Sequence, residues 1–358
     1  MLACDALVVG GGPAGSTCAR ALRQAGWDVI VMDRARFPRD KVCAGWLTTH
    51  VLRRLELDAD EYRGAGLTLQ EITGFRTSVF GQRAVDTRYG RVVSYAIRRC
   101  EFDDFLLRRA LVRVLEGAAL SSLRREEDAW IVNDMVRAPV VIGAGGHFCP
   151  VARHLRRRDD TPEPVVAKEA EFPLQGPSSV APGMPELLFC RDLEGYAWCV
   201  RKGTYINVGI GRRENHGFGA HVDEFMEFLE RSGKAPGASR AHWKGHAYLA
   251  SGTGARRLVD EGLVLIGEAA GLAYPESGEG IGPAIESGLL AAAALARAGT
   301  RPSADDLHGY ERELRALYPP SQPSRGPVTG VATAVGRALL RSRLFTKHVV
   351  LDRWFLRN

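Results

Sequence analysis

The stretch Gly10-Gly11-Gly12-Pro13-Ala14-Gly15 constrains this chain more than any other. It satisfies G-x-G-x-x-G, and its setting gives the spacing meaning. Ala6 to Val9 reads as a short buried strand before it. Ser16 to Ala25 reads as a helix after it, stopped by Gly26, and Asp28 to Met32 reads as a second strand that ends at Asp33. Gly10 permits the tight strand-to-helix turn, Gly12 lets a pyrophosphate approach the backbone, and Gly15 lets helix and strand pack closely. The helix start offers unpaired N–H groups and a positive dipole end to phosphates. Asp33, followed by Arg34, comes 23 residues after Gly10, where a carboxylate accepts both hydroxyls of an adenosine ribose. A dinucleotide-binding βαβ unit is therefore expected at the N-terminus. The fingerprint alone does not say which dinucleotide.

At 358 residues the chain has room for two compact lobes. No uninterrupted apolar run reaches the roughly eighteen residues of a membrane span. The N-terminus enters a strand directly, so no secretory leader and no transmembrane span are expected. The seven cysteines are odd in number and form no C-x-x-C pair, which predicts reduced thiols and a cytoplasmic location. Histidines and cysteines show no zinc spacing, and the interval between His242 and His246 holds a glycine, so no metal is expected. The net charge is +6, with only six lysines among 48 basic residues. The dense block Arg153 to Arg158 is followed by Asp159 and Asp160. It reads as a solvated helix face, or as a patch for a phosphorylated cofactor or an acidic partner. No nucleic-acid module accompanies the charge, so no nucleic acid is expected as a partner.

The second strand leads into Phe37 to Trp46, which contains Lys41-Val42-Cys43-Ala44-Gly45. Here the sequence resembles the geranylgeranyl reductase group of flavoproteins, within the class shaped like p-hydroxybenzoate hydroxylase. That group carries K-x-C-G-G near the flavin ring, and Ala44 replaces the first glycine of the pair. The resemblance implies FAD as the dinucleotide, with Arg39 and Lys41 on its phosphates or carbonyls and Cys43, Ala44 and Gly45 beside its ring. Cys43 also reads as a small buried residue. Arg99, three residues before Phe102-Asp103, matches an arginine that contacts FAD in related proteins. Gly145 stands where hydroxylases of the class have an aspartate that helps hold FAD and a nicotinamide donor. His147 and Arg153 are its substitutes by proximity alone. Gly267-Glu268-Ala269-Ala270-Gly271 follows a buried strand, Leu263 to Ile266, and matches G-D-A-A-G, with Glu268 on the ribitol. Gly278, Gly280 and Ile281 open a helix of small residues running to Ala298. The resemblance points its positive end at the reduced flavin.

Gly66 to Val93 and Val165 to Gly211 have strand character and predict an inserted antiparallel sheet. On it, Tyr196 and Trp198 match the Y-x-W of a Y-x-W-x-F-P motif that adjoins the lipid substrate in geranylgeranyl reductases, while Val200 and Arg201 replace Phe-Pro. Residues two apart on a strand share a face, so the two aromatics can line one wall or pack in a core between domains. The amphipathic segment Val331 to Phe355 suits a lid over the second domain, a membrane surface or a partner protein.

The expected fold is α/β: a Rossmann-like FAD-binding domain, an inserted antiparallel substrate sheet and a helical tail. Residues 1–75, 95–165 and 252–303 are assigned to the FAD domain, 76–94 and 166–251 to the substrate domain, and 304–358 to the tail. NAD(P)H is the expected electron donor. No decisive catalytic acid or base stands out, and Cys43 and His50 are the candidates. Three readings compete: a monooxygenase acting on an aromatic or protein-bound substrate, a reductase of isoprenoid double bonds, and a non-catalytic FAD-binding module. The missing Phe-Pro tilts the choice toward oxygenation. Similarity to accessory flavoproteins that oxygenate a partner's tryptophan adds a protein substrate, and the missing W-x-W-x-I-P box argues against halogenation.

Overall fold

Ala6–Val9 carries only small and branched apolar side chains and is buried throughout, as a strand covered on both faces must be. It lies at the centre of a six-stranded sheet. The parallel strands run in the order Leu263–Leu265, Val140–Gly143, Ala6–Val9, Val29–Asp33 and Arg113–Glu116. Val259–Asp260 adds an antiparallel edge. This is the doubly wound arrangement that the glycine fingerprint requires. The computed structural model describes residues 1–155, 165–213, 217–248, 256–319 and 330–357. Residues 156–160 of the basic block lie outside them.

The parallel sheet belongs to a unit made of Met1–Asp40, Cys100–Pro162 and Tyr248–Gln322. Its helices Pro13–Gln24 and Ile281–Ala298 approach so closely that a side chain on Gly288 would press on the Ala14 carbonyl. That contact explains the run of small residues in the second helix. By length and composition Ile281–Ala298 could also cross a membrane, but it is half buried and packs here as a core helix. A smaller four-stranded sheet (Leu2–Ala3, Val136–Ala138, Ala129–Val132, Leu123–Glu126) completes this unit.

The second unit comprises Lys41–Arg99, Glu163–Ala247 and Pro323–Asn358. Its main sheet has seven strands in the order Lys244–Tyr248, Val165–Pro173, Tyr205–Arg212, Gly195–Lys202, Glu186–Phe189, Gly74–Val79 and Val85–Arg88. Helix Phe218–Arg231 covers one face, where Val222, Phe225 and Leu229 meet Ala197, Cys199, Val208 and Ile210. The expected antiparallel pairing is present across Val165–Pro173, Tyr205–Arg212, Gly195–Lys202 and Glu186–Phe189, but Glu186–Phe189 pairs parallel with Gly74–Val79. Parallel neighbours need a long crossover, and the chain between these two strands also builds part of the first unit.

This pairing shifts the domain boundaries. The expected cut between residues 75 and 76 would split strand Gly74–Val79. Residues 41–75 also belong to the second unit, because Trp46–Thr48 and Leu69–Ile72 flank Ser94–Ile97 in a three-stranded sheet. The tail is divided: helix Ala304–Leu317 joins the first unit, and residues from Pro323 onward join the second.

Candidate active site

The first unit presents a cradle for a dinucleotide. Gly10 has φ +117°, and a side chain there would strike the backbone of Ala144, so glycine is required on both counts. Pro13 opens the following helix, and no side chain caps its N-terminus. Asp33 is buried at the end of its strand. Its Oδ2 accepts from Gly11 N at 2.7 Å and its Oδ1 from Ala35 N at 2.8 Å. The acid thus fixes the glycine loop, and each oxygen keeps a lone pair for a ribose hydroxyl. Arg34 beside it is exposed.

Arg39 reaches back over this loop. Its Nη2 is 3.3 Å from where a Gly12 side chain would begin, its guanidinium lies 4.8 Å from the Phe37 ring centroid, and it pairs with buried Asp103 at 3.2 Å. A fixed cation over the glycine loop suits a pyrophosphate. Arg99 is buried and opens the helix Arg99–Arg109 that carries Asp103.

Two further segments complete the cradle. The Glu268 carboxylate lies 3.4 Å from the position a Gly146 side chain would take, so it sits beside the 144–146 turn. Gly145 packs on Cys149, and Arg153 turns to the Phe148 carbonyl at 3.2 Å. Gly267 packs against Ala14 and Ala284, and Gly278, at φ +68°, packs against Tyr248. Gly280 caps helix Ile281–Ala298 without a side-chain bond of its own, and Glu279 Oε1 accepts from Gly282 N at 2.6 Å. A carboxylate at this helix start shows that the turn accommodates an anionic oxygen. The glycine cradle, the strand-end acid, the arginine and the second helix start all fit FAD.

In the second unit a side-chain network underlies the Cys43 loop. Sequence reasoning had missed it. The sheet face opposite helix Phe218–Arg231 carries Glu169, Glu171, Trp198, Lys202 and Asn207. Trp198 Nε1 donates to Asn207 Oδ1 at 2.7 Å, and Asn207 Nδ2 donates to the Cys43 carbonyl at 3.3 Å. The indole N–H thereby sets which way the amide points. Glu169 accepts from the Cys43 backbone N–H. Gly45, at φ +66°, donates its N–H to Cys43 Sγ and accepts from Ile97 N through its carbonyl. A side chain on Gly45 would meet the Ile97 carbonyl and the Lys202 ammonium.

The network is charged and largely buried. Lys202 is fully buried and donates to Glu171 at 2.6 Å, and Arg98 pairs with the same carboxylate at 3.1 Å. Burial alone would push the Glu171 carboxyl up, but Lys202 and Arg98 together hold it below its ordinary value. Glu169 is buried more completely, and that loss of solvent pushes its carboxyl up despite Lys202 and the Cys43 and Asn207 bonds. The two neighbouring carboxyls are therefore shifted in opposite directions, Glu171 down and Glu169 up.

Tyr196 and Trp198 do share a face, with ring centroids 6.1 Å apart. Tyr196 packs edge-on against Phe355 at 5.4 Å, and Phe355 stacks on Trp46 at 5.5 Å, which stacks on Phe75 at 4.8 Å. The terminal helical turns Thr346–Leu356 thus cover this aromatic face, with Tyr89 donating to Asp352 at 2.6 Å. Trp198 is buried and bound to Asn207, so it supports the Cys43 loop as much as it forms a wall. Lys41 approaches His246 Nε2 at 2.6 Å, a contact that spacing did not suggest. Half-buried His50 lies in the first turn of Thr49–Arg54. Among the described residues no cluster of three His, Cys, Asp or Glu side chains could hold a metal.

This cradle defines an FAD-dependent oxidoreductase. A family model described as FAD dependent oxidoreductase matches residues 5–103. The chain is 30% identical over 376 residues to a menaquinone reductase of Mycobacterium tuberculosis, covering 94% of this chain and 90% of that protein. It is 28% identical over 330 residues to digeranylgeranylglycerophospholipid reductase 2 of Methanosphaera stadtmanae, covering 83% of this chain and 79% of that one. A geranylgeranyl bacteriochlorophyll reductase-like structure from Thermoplasma acidophilum superposes with a TM-score of 0.74 at 23% identity, covering 95% of this chain and 88% of that one. The chain belongs to the geranylgeranyl reductase-like group of FAD-dependent oxidoreductases.

Proposed function

We propose that the protein reduces carbon–carbon double bonds in the isoprenoid chain of a lipid. The observation that carries this reading is near full-length similarity to two reductases whose named substrates, menaquinone and digeranylgeranylglycerophospholipid, both bear isoprenoid chains. Tyr196, partly exposed beside buried Trp198 and Phe355, adds an aromatic edge that offers an unsaturated hydrocarbon dispersion contacts. The missing Phe-Pro pair, which favours oxygenation, is a local departure within that likeness.

When bound, reduced FAD supplies the hydride. Asp33 and Arg39 hold the cofactor's ribose and pyrophosphate ends, and the helix starts at Gly12, which no side chain caps, and at Gly280, where Glu279 already takes the Gly282 N–H, face its anionic oxygens. The Cys43 loop is held rigid at both its N–H and its carbonyl, as a surface that orients a ligand must be. NAD(P)H is the proposed electron donor, and the reading goes with a cytoplasm in which all seven thiols stay free.

The test is turnover without oxygen. The protein, reduced with dithionite and freed of excess reductant, is mixed with a geranylgeranyl lipid that carries no quinone, and the product is weighed by mass spectrometry. A gain of two hydrogens per event supports the proposal. A product that forms only with oxygen and is heavier by one oxygen atom overturns it in favour of oxygenation.

A further inference from the structure

Helix Gly330–Leu339 has no buried residue. Gly336 rests against Leu193, which leaves the other side of the helix outward. There Val331 is 76%, Val335 54% and Leu339 42% exposed, and Leu344 just beyond is 73% exposed. The first three recur every four residues and form one stripe. Large aliphatic side chains scattered singly on a surface need no explanation, but a contiguous stripe does.

The charge along this stretch of sequence is one-sided. Between Glu313 and Asp352 the sequence contains no acidic residue and six cationic ones: Arg315, Arg325, Arg337, Arg341, Arg343 and Lys347. Arg341 and Arg343 are exposed, and Arg337 is partly so. Asp86 faces Arg343 and offsets part of its charge. Lys347 lies over the Tyr89 ring and is committed to the fold.

We propose that this helix is a docking surface for an anionic lipid bilayer, with Val331, Val335, Leu339 and Leu344 entering the acyl boundary and Arg337 and Arg341 meeting lipid phosphates. An exposed aliphatic stripe in a stretch of sequence that carries arginines and no acid is the pattern of a helix that lies in the membrane interface. The stripe carries no aromatic or hydrogen-bonding side chain to specify a protein pocket, so a fluid apolar phase suits it better than a shaped groove. The proposal rests on exposure and charge alone. It agrees with a lipid substrate without needing one.

The experiment is co-sedimentation of the full-length, FAD-loaded protein with vesicles of phosphatidylcholine alone, or with phosphatidylglycerol added. Binding is expected on the anionic vesicles only, with release in 1 M salt, where the screening length falls to about 3 Å. Arg337→Gln with Arg341→Gln should weaken binding about 25-fold, at roughly fivefold per charge. A Val331→Ser, Val335→Ser, Leu339→Ser variant should lose it, with flavin absorbance and melting temperature unchanged because these side chains are exposed. Failure of the wild type to bind anionic vesicles at low salt overturns the proposal, as does equal binding by the variants. A concentration-dependent dimer in gel filtration that the serine variant abolishes also overturns it, since the stripe would then be covered by a second copy. None of these readouts depends on turnover, so failure of the reductase reading would leave them unchanged.

Discussion

Replacing Lys202 by methionine removes the one fully buried cation under the Cys43 loop. The two side chains have similar volume, so the change isolates the charge. In the native protein the ammonium donates to Glu171 at 2.6 Å and also lowers the ionisation cost of Glu169. Removing one partner of a buried ion pair costs about 3–5 kcal/mol, because the remaining charge is left without compensation. Here the loss should fall at the low end, about 3 kcal/mol, since Arg98 stays on Glu171 at 3.1 Å and that carboxylate keeps 19% of its side-chain exposure. Glu171→Gln should cost more, about 4–5 kcal/mol, because it strands a fully buried ammonium beside a second cation. For a unit of 150–250 residues, 3 kcal/mol corresponds to a fall in Tm of about 6–12 °C. Thermal unfolding followed by circular dichroism, with FAD bound, measures both variants. A fall of less than about 2 °C for Lys202→Met, or a smaller loss for Glu171→Gln than for Lys202→Met, would refute the assignment of this cluster as a compensated buried ion network.

Three further outcomes follow from the same geometry. Asp33→Ala removes two charge-assisted bonds that hold the glycine loop, so FAD should bind about 10–100-fold more weakly, as read from flavin retained after desalting. The two glutamates should tilt stability against pH in opposite senses. The lowered Glu171 contributes stability that is present above its unfolded value and lost as pH falls through its folded one, whereas raised Glu169 costs stability as pH climbs from its unfolded value through its folded one. Glu169→Gln should therefore gain stability over wild type as pH rises from 4 to 8, in denaturant titrations across that range (pH values set roughly by the unfolded carboxyl near 4.3). Phe355→Ala empties the position between Trp46 and Tyr196 and should cost about 3–5 kcal/mol, read as earlier proteolytic cutting of the tail.

The nucleotide half of the fold was legible because its determinants are local. Gly10 to Gly15, Asp33 and the strands on either side lie within thirty or so residues, and the spacing alone dictates the turn. Helix Ile281–Ala298 ran as expected because its small-residue pattern and its flanking glycines mark both ends. The domain cut at residue 75 failed because strand Gly74–Val79 pairs with a segment more than one hundred residues away, and nothing in either strand names its partner. The ion network was hidden for the same reason. Asn207 faces Glu171 only through the register of two strands, and Lys202 reads in isolation as a solvated residue. One local signal did exist. Val165, Ala167, Glu169 and Glu171 fall on one face of a strand whose first members are apolar and buried, which marks the two glutamates as facing inward.

The parallel pairing of Gly74–Val79 with Glu186–Phe189 also sets the order in which the chain can mature. Each of the two units is assembled from three separated stretches of sequence, so neither exists as a contiguous piece that a ribosome could release and fold alone. When residue 99 has been made, the second unit still lacks five of the seven strands of its main sheet, and its earlier strands wait with open edges. Expression yield should therefore depend on how well those waiting strands are shielded during synthesis, and a truncation at either end should remove pieces of a unit rather than a whole one.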